Sequence, residues 1–509
     1  MARKARLPAA QPAWPAERVG RADQHAPIPV PVSVSSVPST VQEEKHRRWM
    51  VAGPRMRGCG IVQSGKQWCR ACAGAASCGA GSGLDYRIGT LESGLRVVVA
   101  PMPGMYSVAI SVLVGAGSRH ERPEQAGVAH LIEHLLFKGT ERRPSAELIS
   151  ETIERAGGML NAATDKEQTV YYAKVGREHA STAVDLLADM LLHSLFDEAE
   201  LARERQVVIE ELAMSMDTPQ EWVHTLIDAA CWPGTALARD VAGTRESVAA
   251  LDLGKVREFF AAAYRPENCV IGVAGALGYE EGFALVEQAF GSWSADPGAG
   301  ALDTARYSYP SRPPSVRYGA RAIGQVNLCL AVSGPGWLSE ERHALDLLIS
   351  ILGGASSSRL FLELRERRGL AYDVHSYANR LAETGSIVTY LAVDPERARG
   401  AADEVMAQLE ALRTEPVSAR ELERAKEFYK GRLLLGLEDT QSVAGWCGGQ
   451  LLAYGAIQQP EAVSAIIDGV DADQLSALAG RYFRAEHLRA VALGPKAGKA
   501  PLDGIAWLG

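Results

Sequence analysis

No uninterrupted apolar run of transmembrane length occurs in the 509 residues, so no segment reads as a membrane span and a soluble protein is expected. A basic surplus is missing too. The formal net charge is −8, and no basic stripe with interleaved aromatics offsets it, which argues against a nucleic-acid binder. The N-terminus lacks the apolar core of a secretory signal, and Pro8, Pro12 and Pro15 would interrupt the amphipathic helix of a transit peptide, so a cytoplasmic location is expected. Cysteine is scarce. Cys231, Cys269, Cys329 and Cys447 are scattered and read as reduced core residues, while Cys59, Cys69, Cys72 and Cys78 cluster with a single C-x-x-C. That cluster lacks the paired spacing of a structural zinc site, and its Ala/Gly/Ser-rich surroundings offer little to fold around a metal.

What is present is enough apolar material, 47% of the chain, to build more than one core. Residues 1–83 are rich in Pro, Ala, Arg and Ser and read as a disordered extension, with Met50 and Met56 leaving a later start open. The most informative stretch is His130-Leu131-Ile132-Glu133-His134. Val128, Leu131, Ile132, Leu135 and Leu136 recur at helical spacing, so one face packs while the two histidines, one turn apart, share another. Histidines at i and i+4 can ligate one ion, and a catalytic zinc takes three protein ligands while keeping a position for water. Glu133 sits within reach of that water, whose pKa zinc lowers to about 7, and is suited to take its proton. The order H-x-x-E-H inverts the commoner H-E-x-x-H. A second helical stretch, from about Asp197 to Met216, offers Glu204, Glu210 and Glu211 as further acids, of which Glu204 and Glu211 share a face.

The run Ala126-Gly127-Val128-Ala129-His130 through Phe137-Lys138-Gly139-Thr140, with Glu211 following at a distance, resembles the insulinase, pitrilysin and mitochondrial processing peptidase superfamily. The chain is most similar to its short two-domain bacterial members, from about Leu84 to the C-terminus. The resemblance implies a zinc metalloendopeptidase holding one Zn2+ per chain on His130, His134 and Glu211. Glu133 would be the general base and Glu204 an acidic residue behind the ligands, with Glu210 the alternative to Glu211. It also implies that Gly157-Gly158-Met159-Leu160-Asn161-Ala162-Ala163-Thr164 forms an edge strand at the active site. There a peptide backbone adds as an extra strand, against Asn161 and Ala162. In Leu364-Arg365-Glu366-Arg367-Arg368-Gly369-Leu370-Ala371-Tyr372, Arg365 and Tyr372 resemble the pair that reaches the substrate carbonyls beside the scissile bond. A guanidinium and a phenol suit a developing oxyanion.

An internal repeat completes the reading. The alternating strand Ser107–Gly115 is matched by Gln325–Ser333, and the helix-turn-strand Phe259–Ala274 by Ala477–Ala492. Val108 and Val326 are 218 residues apart, as are Tyr264 and Tyr482. At that offset His130, Glu133 and His134 face Leu348, Ile351 and Leu352, and the helix with Glu211 corresponds to one with Arg432, so the second half cannot bind the metal. The expectation is an α/β (α+β) protein of two homologous domains, each a mainly antiparallel sheet packed with helices, closing as a clamshell. Residues 84–292 would be catalytic, 293–314 a Pro/Gly-rich linker, and 315–509 a non-catalytic, substrate-holding domain. Peptides or unfolded segments are the expected substrates, with no nucleic-acid or membrane partner. A homodimer is implied by the resemblance, with a heterodimer containing an inactive homologue as the alternative. Two rival functions remain: a non-catalytic core-type subunit of a larger complex, against which the intact His130, Glu133, His134 and Glu211 set argues, and a dedicated maturase for one modified peptide.

Overall fold

A computed structural model describes residues 83–502; the N-terminal extension and its cysteine cluster lie outside the described residues. The first half begins with strands β1 (Arg87–Thr90), β2 (Arg96–Pro101) and β3 (Ser107–Val114) and helices α1 (Val128–Leu136) and α2 (Ala146–Arg155). It continues through β4 (Met159–Thr164), β5 (Thr169–Gly176), α3 (Ala180–Leu192), α4 (Glu198–Asp217), α5 (Pro219–Cys231), α6 (Arg245–Ala249), α7 (Leu253–Ala263), β6 (Cys269–Gly275) and α8 (Tyr279–Phe290). The second half comprises β7 (Ser315–Ala320), β8 (Val326–Gly334), α9 (Arg342–Leu352), β9 (Ala371–Arg380), β10 (Gly385–Val393), α10 (Ala398–Thr414), α11 (Ala419–Gly436), α12 (Thr440–Tyr454), α13 (Pro460–Asp468), α14 (Ala472–Tyr482) and β11 (Arg489–Gly494).

The six strands of the first half run in the order β1-β2-β6-β3-β5-β4 and the five of the second in the order β7-β11-β8-β10-β9. Setting β1 aside, the orders superpose strand for strand. Each sheet has one parallel pair, β2 with β6 and β7 with β11, in an otherwise antiparallel ladder. Central strands β3, β6 and β8 are buried almost throughout, which explains their continuous apolar runs: both faces of each sheet are covered. The edge strand β4 instead alternates between exposed and half-buried residues.

What covers the faces is not what the division of the sequence suggests. Helices of the same half cover one face of each sheet, but the other face is covered by a helix from the opposite half. α12 packs Val443, Ala444, Cys447 and Leu451 against Val98, Ala109, Leu113 and Val270 of the first sheet. α5 packs Val223, Ile227 and Cys231 against Cys329, Ala331 and Val491 of the second. The first contact is close because glycines allow it. A Cβ on Gly272 would lie 2.2 Å from the Ala444 carbonyl oxygen, and one on Gly448 2.4 Å from Leu113 Cδ1. The segment 293–314 has no regular structure and runs between the halves, burying Tyr307 and Tyr309 in part against the second sheet. Cys231, Cys269, Cys329 and Cys447 are all free and buried. Among the described residues, no helix is long and apolar enough to cross a membrane.

Candidate metal centre

α1 is fixed at both ends. Gly127 precedes it with φ +92°, and a Cβ there would fall 2.6 Å from the Ala242 carbonyl oxygen, so only glycine fits. The buried Glu121 carboxylate accepts the amides of Gly127 and Ala129, each at 2.9 Å, at the positive end of the helix. Beyond the last turn, the Thr140 hydroxyl donates to the fully buried Asp189 at 2.6 Å, and Arg142 and Arg143 pair with the same carboxylate. Val128, Leu131, Ile132, Leu135 and Leu136 are buried as the periodicity requires, and His130, Glu133 and His134 take the other face. Sequence reasoning missed Glu121 and Asp189. An acid just ahead of a Gly-initiated helix hints at the first, whereas the second depends on a partner 49 residues away.

The two histidines bring Glu211 of α4 into one cluster: a donor atom from each of the three lies within 4.8 Å of the others. Glu211 Oε2 is 3.5 Å from His134 Nε2 and 4.0 Å from His130 Nε2. Ligand atoms at about 2.0–2.2 Å from a tetrahedral zinc are separated by roughly 3.4 Å, so this donor set fits the ion with little adjustment. Glu211, not its neighbour Glu210, supplies the carboxylate of the cluster. Behind His134, buried Glu204 lies 3.0 Å from Nδ1 and is paired with Lys138 Nζ at 2.8 Å. A proton on Nδ1 donated to Glu204 leaves the Nε2 lone pair facing Glu211, the arrangement that orients a metal-binding imidazole. Burial, and next the neighbouring His134 ring, pull His130 down to about 4, so its imidazole is neutral and able to ligate at neutral pH.

Glu133 is not part of the donor cluster. Its Oε2 accepts the Thr164 hydroxyl at 2.5 Å, and burial raises its carboxyl above the ordinary range despite that bond. Thr164 ends β4, the outermost strand of its sheet, so among the described residues β4 has one unpaired edge. Asn161 is exposed on that strand and its Oδ1 accepts the Ala162 amide at 2.8 Å, while Ala162 is half-buried. Thr164 stood in the sequence motif without a role, because a hydroxyl aimed at a carboxylate 31 residues away leaves no local mark.

Arg365 and Tyr372 come together, but with each other. The guanidinium lies 5.6 Å from the Tyr372 ring centroid and 5.0 Å from that of Phe361. Arg365 belongs to a π-helical segment, Phe361–Arg367, which is followed by Gly369 at φ +56°. Tyr372 is on β9, the edge strand of the second sheet, and is 77% exposed. Among the described residues neither side chain hydrogen-bonds to His130, Glu133, His134 or Glu211. Leu348, Ile351 and Leu352 of α9, opposite the metal motif in the repeat, are fully buried, and Arg432 stacks over Phe428 on α11.

Residues 96–245 match the family described as Insulinase (Peptidase family M16), and residues 250–429 the Peptidase M16 inactive domain. An uncharacterized zinc protease of Bacillus subtilis, YmxG, is 36% identical over 412 residues, covering 81% of this chain and 98% of that protein. An uncharacterized zinc protease of Mycobacterium leprae is 38% identical over 421 residues, covering 81% and 92%. The fold is that of a protease from Helicobacter pylori, with TM-score 0.76, 24% identity and coverage of 81% of this chain and 100% of that one. It is shared with a chain of complex III2 from Candida albicans, with TM-score 0.68, 17% identity and coverage of 80% and 95%. The chain belongs to the insulinase family of peptidases, and its relatives are named as zinc proteases.

Proposed function

We propose, with that membership as premise, that the chain is a zinc-dependent endopeptidase that cleaves peptides or unfolded segments. The observation that carries the proposal is the convergence of His130, His134 and Glu211 beside a carboxylate, Glu133, that the cluster leaves unused. His130, His134 and Glu211 would hold the ion. When bound, zinc supplies Lewis acidity, polarising the scissile carbonyl and lowering the pKa of a water to about 7. Glu133 takes the proton of the attacking water and delivers it to the departing amine, while the Thr164 hydroxyl holds the carboxylate in place. Glu204 keeps His134 in the tautomer that leaves Nε2 free.

The free edge of β4 gives an extended peptide a row of main-chain donors and acceptors beside Glu133, with Asn161 and Ala162 along it. Such an edge selects for backbone that is not already folded. From the second half, Arg365 and Tyr372 are assigned to the substrate carbonyls, where a guanidinium and a phenol stabilise developing negative charge. The same fold in a complex III2 chain favours a second reading, a non-catalytic subunit, but such a subunit has no use for this donor set.

Zinc content and hydrolysis of an unstructured peptide library, measured on four variants, test the proposal. His134→Ala and Glu211→Gln are expected to lose the metal, and Glu210→Gln to keep it. Glu133→Gln should keep the metal while kcat falls roughly a hundredfold to ten-thousandfold. Undiminished turnover in Glu133→Gln would sink the mechanism.

A further inference from the structure

Glu383 lies in the turn between β9 and β10, in the half that, among the described residues, adds no side chain to the His130, His134 and Glu211 cluster. Its carboxylate, 9% exposed, accepts both terminal nitrogens of Arg119, at 2.6 and 3.1 Å, and the Tyr307 amide at 2.7 Å. Arg119, only 1% exposed, also pairs with fully buried Glu167 and donates to the Ala305 carbonyl at 2.8 Å. Glu167 in turn accepts the Ala382 amide on both oxygens, at 3.1 and 3.0 Å. The tips of two hairpins, β4–β5 of the first half and β9–β10 of the second, therefore meet over one guanidinium, with the inter-half segment closing the third side.

Stability alone is a weak reason for burying one cation and two carboxylates, since well-packed apolar residues of similar volume often do as well or better. Such a knot does fix geometry. Glu167 is three residues beyond Thr164, and the turn between them has no slack. Asp165 Oδ1 accepts the amides of Glu167 and Gln168 at 2.6 and 2.7 Å, and the Asp165 amide donates to the Gln168 carbonyl at 2.8 Å. The Ser118 and Arg119 amides hold the carbonyls of Asp165 and Lys166 at 3.1 and 2.8 Å. Lys166 Nζ is bound to the carbonyls of Leu237 and Arg239, each at 3.0 Å. At the near end of this rigid turn the Thr164 hydroxyl meets Glu133.

The geometry points to Glu383 as a positioning residue: held on Arg119, it fixes the β4–β5 turn and, through Thr164, the direction of the Glu133 carboxylate. It touches neither substrate nor metal. The second half then acts on the reaction through the base itself, separately from any contact with the peptide. This role rests on the reading of Glu133 as general base.

The test uses the full chain as Glu383→Gln, Thr164→Val and the double variant, each checked for zinc content and for a cooperative thermal transition. Amide hydrogen exchange at residues 164–168 in the metal-free protein reports the turn without reference to activity, and it should be faster in Glu383→Gln. With unstructured peptides, Glu383→Gln should lower kcat about tenfold with KM within twofold and zinc unchanged. The double variant should be no slower than Thr164→Val alone, because both changes act through one contact. Unaltered exchange at the turn, an undiminished kcat, or effects that multiply in the double variant would each overturn the role. If Glu383→Gln fails to fold, Glu383→Asp, which keeps the charge on a shorter arm, gives the same readings. Loss of hydrolysis in Glu133→Gln beside an unaffected Glu383→Gln overturns this role alone. A wild-type chain without zinc-dependent hydrolysis overturns the endopeptidase reading and this role together.

Discussion

Helices α1 and α9 occupy the same place in the two halves, each packed beside the edge strand of its sheet and against a long partner helix, α4 or α11. At the positions where α1 presents His130, Glu133 and His134, α9 buries Leu348, Ile351 and Leu352 completely. The candidate metal centre therefore occupies a region that the sister half fills as core. Three aliphatic side chains there contribute about 1.5–3 kcal/mol each by burial, and the first half forgoes that contribution to display donors. The candidate site thus sits on a helix whose counterpart in the other half is core.

Neither half is complete by itself, since each sheet is covered by a helix of the other, and the largest expected effect follows from separating them. A chain ending at residue 292 lacks α12, which leaves Val98, Ala109, Leu113 and Val270 uncovered. It should show no cooperative unfolding and should be cleaved rapidly in limited proteolysis, with co-expression of residues 293–509 restoring protection. A separated first half that melts cooperatively would mean that the exchanged helices add little.

Next in size is the contrast between the helices themselves. Leu348→Ala is expected to cost about 3 kcal/mol in urea unfolding, as for other fully buried leucines, whereas His130→Ala in metal-free protein should change stability by less than about 1 kcal/mol. Equal losses would show α1 to be packed as tightly as α9. Metal removal sharpens the same difference: chelation from a zinc concentration a hundredfold above Kd should lower stability by about 2.7 kcal/mol, and the shift should vanish in His134→Ala. A chelator-insensitive melting temperature would break the link between donors and packing. The smallest effect concerns the second half's proposed contribution to chemistry. Tyr372→Phe should lower kcat about tenfold, or about 1.4 kcal/mol, with stability unchanged because the ring is so exposed. Wild-type kcat at full zinc occupancy would leave Tyr372 without a catalytic part.

Much of this was legible in the sequence, for identifiable reasons. His130 and His134 are one helical turn apart and Glu204 and Glu211 two turns apart, so local geometry brings each pair to one face before any tertiary contact is known. The repeat offset pointed to two homologous domains, and the matching strand order of the two sheets is what a duplicated pattern produces. Reciprocal helix cover was not legible: periodicity says that a face of α5 or α12 is buried, not which sheet buries it. Nor were the partners of Glu121, Asp189, Arg119 and Glu383, since a buried carboxylate and a surface one are spelled alike. The choice between Glu210 and Glu211 likewise needed the packing of α4 against α1, which brings the Glu211 carboxylate to the histidines.

Synthesis gives the exchanged helices a consequence in time. Strands β2, β3 and β6 have all emerged from the ribosome well before α12 does, so the newborn first half has an apolar sheet face with nothing yet to lie on it. At about 5–20 residues per second the wait is roughly ten to thirty seconds, long on the scale of aggregation and chaperone capture. The first sheet can therefore complete its core only in chains translated far enough to contain α12.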